Sequence, residues 1–137
     1  MMPVRIATAI VTIALAVLSS SAQAATSAQL VKTFRHSTFG DVLARRDGQA
    51  LYYWNRERDF RVHCTGACAR AWPPLIVRKG VTLRQRVAGI KGKFGIVRRP
   101  DGRRQLTLNR RPLYTYAHER PRQVLCNDVD GWFVIRP

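Results

Sequence analysis

Three cysteines, a histidine beside one of them, and two aromatic pairs each followed by a glutamate are the residues here whose types and spacing could do chemistry. Cys64 and Cys68 stand four apart, so a helical turn would put both sulfurs on one face, and Gly66 between them lets the backbone adjust. A thioredoxin-type site needs a two-residue spacer, and haem attachment needs that spacer plus a following His. Here the spacer is three residues and Ala69 follows, so both chemistries are excluded. Cys126 lies ten residues after Tyr116, as Cys64 lies ten after Trp54, so Cys64 and Cys126 could also meet across a pseudo-twofold axis. Three pairings are open, each leaving one thiol free. Reduced, His63, Cys64, Cys68 and Cys126 offer a soft copper or zinc set, the alternative to a bridge.

The aromatic pairs read differently. Residues two apart on a strand share a face, so Tyr52 projects with Trp54 and Tyr114 with Tyr116. With Glu57 and Glu119 as hydrogen-bond acceptors, these six residues could form a stacking platform for a sugar, quinone or base. Their recurrence favours the alternative of a packed core with phenol groups bonded at its rim. Other catalytic signatures are missing: Ser27 and Ser37 lie in no nucleophile elbow, and neither a zinc-protease helix nor a phosphate-cradling Gly-rich loop occurs. Asp128-Val-Asp130-Gly131 resembles half a calcium loop, but Cys126 would fill its first ligand position and Pro137 its last. With only eight acids, a paired-carboxylate site has no support either. The expectation is a non-enzyme with no cofactor.

Charge is the strongest compositional feature. The 137 residues carry 24 Lys and Arg against 8 Asp and Glu, a net +16, and Lys occurs only at positions 32, 79, 91 and 93. Arginine pairs at 45–46, 98–99, 103–104 and 110–111 fall at hairpin ends, and Arg103, Arg104, Arg110 and Arg111 are the expected anion-binding set. Anionic envelope lipids and polymers are the matching partners. No base-reading module is visible, so specific nucleic-acid recognition is not expected. A hydrophobic share of 46 % excludes disorder throughout. No apolar run reaches the roughly 18 residues a spanning helix needs, so an integral membrane protein is not expected.

The elements that must hold these residues begin after an address. Residues 1–24 read as a secretory signal: Arg5, an apolar run from Ala7 to Leu18, and the small-x-small site Ala22-Gln23-Ala24. Cleavage there gives a periplasmic or extracellular protein in an oxidising compartment. Residues 25–38 are expected as a loose arm, and 39–137 as one domain of two tandem units, 39–78 and 94–137. The series Phe39-Gly40-x-Val42, Asp47-Gly48, Leu51-Tyr52-x-Trp54, Glu57 matches Phe94-Gly95-x-Val97, Asp101-Gly102, Leu113-Tyr114-x-Tyr116, Glu119. Trp72 and Trp132 each open an apolar run.

Asp47-Gly48 predicts a hairpin of 42–44 with 50–54, and Pro100-Asp101-Gly102 one of 94–98 with 104–108. Strands follow at 112–116 and 132–135, with one short helix within 64–71 stopped by Pro73-Pro74. The fold class is all-β, mainly antiparallel: two pseudo-symmetric hairpin or meander repeats sharing one core.

Three stretches, Asp47-Gly48…Leu51-Tyr52-Tyr53-Trp54, Cys64-Thr-Gly-Ala-Cys68…Trp72-Pro-Pro-Leu75 and Gln105-Leu-Thr-Leu-Asn109…Tyr114-Thr-Tyr116, carry a resemblance. From Phe39 to Pro137 the chain resembles the secreted repeat family of unknown function, predicted lipoproteins with a Tyr-x-(Phe/Trp/Tyr)-x-x-Asp motif. The resemblance implies an exported, β-rich tandem repeat with a Cys64–Cys68 bridge, leaving Cys126 free. Glu57 and Glu119 stand where that family has Asp, and no cysteine is placed for lipidation. The functional expectation is an exported binding or structural module of the envelope. Its alternatives are a metal or thiol-redox protein and a cationic effector on nucleic acid or membranes.

Overall fold

Two tight turns seed the architecture. A computed structural model describes residues 1–4, 11 and 13–137, and the rest of the expected signal segment lies outside the described residues. At Arg45–Gln49, Asp47 Oδ1 accepts the Gln49 N–H at 3.1 Å, and Gly48 takes φ +97°, a conformation costly for residues with a Cβ. At Arg99–Arg103, Asp101 does the same for the Arg103 N–H at 3.0 Å, with Gly102 at φ +84°.

The elements are mainly short antiparallel strands. Strand β1 (Val31–His36) pairs with β2 (Gly40–Arg45). Strands β4 (Phe94–Arg98), β5 (Arg104–Leu108) and β6 (Arg111–Pro112) form a three-stranded sheet. Strand β3 (Tyr52–Trp54) pairs with β7 (Trp132–Val134), Tyr53 opposite Phe133. The one α-helix among the described residues, α1 (Ala67–Ala71), follows Gly66 and ends with the Trp72 N–H on the Cys68 carbonyl, before the two prolines. The all-β expectation holds, and the second hairpin has the expected strand limits.

Three expectations need correction. Residues 25–38 are not a loose arm: Ser27–Leu30 form a 3₁₀ turn and β1 follows it. Only Val31 and Phe34 of β1 are buried, so the strand lacks the strict alternation that betrays a strand in sequence. The first hairpin reaches only as far as Leu51, whose N–H meets the Leu43 carbonyl; Tyr52–Trp54 then leave to pair with β7. Third, the Phe-Gly-x-Val stretches occupy different places, one opening β2 and the other in β4. The Asp-Gly turns differ likewise, one following β2 and the other joining β4 to β5.

Matched backbone bonds nevertheless surround the Leu-Tyr elements. Leu43 donates to the Ile135 carbonyl, Ile135 to Leu51 and Leu51 back to Leu43, closing one ring; Leu106, Leu75 and Leu113 close another in the same sense. Tyr52 and Tyr114 join the rings by exchanging N–H···O bonds of 2.8 and 3.0 Å. By these bonds β2 matches β5. Because side chains alternate along a strand, Leu43, Leu51, Leu106 and Leu113 enter an aliphatic cluster with Val77 and Phe94. Val42, Ala44, Tyr52 and Tyr114 enter an aromatic cluster with Trp72 and Trp132. Burial on both faces, worth about 1.5–3 kcal/mol for each large apolar side chain, is what holds such short strands together.

Candidate functional site

The aromatic cluster contains the residues that most invited a functional reading. Trp54 stacks on Trp132 with centroids 5.1 Å apart, Trp132 on Trp72 at 3.9 Å, and Trp72 against Tyr116 at 4.6 Å. Tyr52 meets Trp72 edge-on and Tyr114 meets Trp132 edge-on. Tyr52, Glu57, Tyr114 and Glu119 are all buried, so four members of the proposed platform are core. Only Trp54 and Tyr116 are part-exposed, at two ends of the stack.

The tyrosines and glutamates exchange partners across the molecule. Tyr114 donates its hydroxyl to Glu57 Oε2 at 2.8 Å, and Tyr52 donates to Glu119 Oε2 at 2.6 Å. Each carboxyl also anchors the chain that follows it six residues on. Glu57 accepts the His63 N–H at 2.6 Å and the Cys64 N–H at 3.3 Å, and Glu119 accepts the Leu125 N–H at 2.8 Å. The other oxygen of each carboxyl is buried with no hydrogen-bond partner among the described residues. Burial pushes both glutamate pKa values up, because the charged form loses hydration that these bonds only partly replace. Both phenols are likewise held above their ordinary range, chiefly by burial.

Arg99, expected only as half of a hairpin-end arginine pair, is buried beside this network. Its Nη1 donates to Gln105 Oε1 at 2.7 Å and its Nη2 to the Cys64 carbonyl at 2.8 Å. The signal for it was slight: an arginine directly before Pro100 at a turn.

Cys64 and Cys68 form a disulfide with Cα atoms 5.1 Å apart, and Cys126 is a buried free thiol. Burial first, then Glu119 and Asp130, pushes the Cys126 thiol up, which leaves it a poor nucleophile. The alternative metal set of His63, Cys64, Cys68 and Cys126 is not assembled. Two sulfurs are bonded to each other, and His63 Nε2 instead faces Asp59 at 2.7 Å. Among the described residues no group of three His, Cys, Asp or Glu side chains could hold a metal ion.

The four arginines expected to converge divide instead. Arg103 precedes and Arg104 begins β5, whereas Arg110 and Arg111 lie past its end, so a five-residue strand, roughly 13–15 Å long, separates the pairs. Arg103 and Arg104 share a groove of about 290 Å³ with Arg78, Lys79 and Arg98. Among the described residues the only acid bonded to any of these five is Asp101, held by Arg103 Nε at 2.8 Å. Sequence reasoning missed Arg78 and Lys79, which follow the strand-like stretch Leu75–Val77; Val77 N–H bonds the Arg104 carbonyl at 2.8 Å and draws them in. Arg111 lies 4.3 Å over the Tyr53 ring and Arg110 4.2 Å over Phe60.

Among the described residues no helix is long and apolar enough to cross a membrane. Compared with known proteins, the chain matches no family model, no curated protein and no solved structure.

Proposed function

We propose that the chain is an exported binding module that holds anionic envelope polymers in the groove between the β4–β5 hairpin and residues 76–79. The observation carrying this reading is the convergence of Arg78, Lys79, Arg98, Arg103 and Arg104, with one bonded carboxylate among them. Cations concentrated in a groove raise the local potential for a polyanion and release its counterions on binding. Export is supported from both sides of Ala24. Leu15, Val17 and Leu18 are more than 80 % exposed and add nothing to the core. Directly after the expected cleavage site, the Ala25 carbonyl accepts the Thr82 N–H at 3.0 Å. A disulfide suits the oxidising compartment such a leader would reach. The likeness to the secreted repeat family belongs to the same reading and adds no activity to it.

Binding of long-chain polyphosphate across a salt series tests the groove. Each cation against an anionic surface is worth on the order of 1 kcal/mol. Replacing Arg78, Arg98, Arg103 and Arg104 with Gln should therefore weaken binding at least about a hundredfold and flatten its salt dependence. The matched variant loses Arg61, Arg84, Arg86 and Lys91, which do not line the groove. Equal losses in both variants would show diffuse charge and remove the reading.

A further inference from the structure

The outward face of the β3–β7 pair carries a second surface that the groove does not use. Alternation turns Tyr52, Trp54 and Trp132 into the core, and so turns Tyr53 and Phe133 outward. Their rings lie 5.6 Å apart and within 22° of parallel, both part-exposed. Arg111 covers Tyr53 at 4.3 Å. Beside them opens a cavity of about 370 Å³, lined by Tyr53, Asn109, Arg111 and Arg136 with apolar Leu108 and Val134 among its walls, and by no acid.

The turn that presents these arginines is built against its own local preference. Asn109 and Arg110 have φ of +50° and +67° between β5 and β6. A two-residue hairpin loop with both φ positive favours Asn followed by Gly. Asn is present, but Arg stands where Gly would be less strained. Its guanidinium stacks on Phe60 at 4.2 Å, making a second arginine–aromatic pair beside the first. Strain of this kind collects where a side chain is required.

We propose that this face binds single-stranded nucleic acid, with bases stacking on the Phe133 and Arg111 planes that Tyr53 supports and phosphates taken by Arg110 and Arg136. Guanidinium planes stack on bases as aromatic rings do, and such stacking tolerates any sequence. An anionic glycan fits less well. Sugar hydroxyls call for carboxylate and amide acceptors, the cavity has no carboxylate, and the Asn109 amide oxygen already accepts the Lys93 N–H at 2.9 Å. The inference goes beyond the groove reading and uses none of its residues.

The test compares a thymidylate dodecamer with an abasic deoxyribose-phosphate dodecamer of equal charge, binding the purified full chain. The thymidylate should bind at least about fivefold tighter, the increment expected from stacked bases. Tyr53→Leu with Phe133→Leu should abolish that preference while leaving polyphosphate binding to the groove unchanged. Arg110→Gly, which relieves the turn, should raise the melting temperature and still weaken thymidylate binding by about threefold or more, so misfolding cannot explain the loss. Equal binding of the two dodecamers by the unaltered chain would overturn the proposal and leave the groove reading standing. Polygalacturonate binding tighter than thymidylate, and lost in the Tyr53→Leu, Phe133→Leu variant, would overturn it in favour of a glycan.

Discussion

Glu57 and Glu119 do the same job in two different surroundings. Each accepts a tyrosine hydroxyl from the other half of the chain and a backbone N–H six residues on. Around Glu57 the polar network continues: Cys64 N–H adds a third bond, and Arg99 ties the Cys64 carbonyl to Gln105, whose amide donates to the Leu113 carbonyl. The cysteine beside it is locked to Cys68. Around Glu119 there are two donors, a free Cys126 thiol, and Val42 where the matched backbone bonds place Gln105 in the other half. A shared local arrangement therefore sits in one polar, cross-linked surround and one apolar, uncross-linked surround. The lesson is that the tyrosine–glutamate element belongs to the fold, while its neighbours are free to diverge.

The largest test of that contrast is Arg99→Met. Losing a buried guanidinium that satisfies a carbonyl and an amide oxygen leaves both unpaired, at a cost of about 3 kcal/mol. Urea denaturation should show this loss, whereas a change below about 1 kcal/mol would mean that Arg99 is a bystander and the two halves are energetically alike.

Removing each hydroxyl sharpens the comparison. Tyr52→Phe deprives Glu119 of one of two bonds, whereas Tyr114→Phe deprives Glu57 of one of three. The expected costs are about 1.5 and about 1 kcal/mol, with Tyr52→Phe the larger. The reverse order would mean that the Arg99 side depends more on its phenol than bond number implies.

The smallest effect is a pH dependence. Burial raises the pKa of both glutamates in the folded chain, so the folded state binds their protons more tightly than the unfolded state does. Their contribution is complete below the ordinary carboxylate value and is lost as pH rises through the raised one, with a slope of at most about 1.4 kcal/mol per pH unit for each group. Asp47 acts oppositely: the Arg45 hydrogen bond lowers its pKa, so its contribution is lost only as pH falls through that lower value. Denaturation midpoints should therefore decline as pH rises above the ordinary carboxylate range. Glu57→Gln and Glu119→Gln should each remove part of the decline and together remove it. A midpoint that rises over the same range would show that both carboxyls are happier charged, contrary to their burial.

What the sequence determined by itself was local. Asp47-Gly48 and Pro100-Asp101-Gly102 specify turns because few residues tolerate the left-handed conformations that Gly48 and Gly102 adopt. Pro73-Pro74 stops α1, and alternation places Leu51 and Leu113 opposite Tyr52 and Tyr114. The bridge was within reach of its spacing, although spacing left the other pairings open. Tertiary structure alone decided which glutamate each tyrosine meets, 67 residues away for Tyr52 and 57 for Tyr114. It also decided that β3 leaves its hairpin for β7, and that Arg103–Arg104 and Arg110–Arg111 part company at the two ends of β5. The reason is that a strand needs a hydrogen-bonded neighbour and a buried face, and neither need names the partner. Only closing both clusters at once selects one arrangement, and with it the face on which Tyr53, Phe133 and their arginines are left to meet solvent.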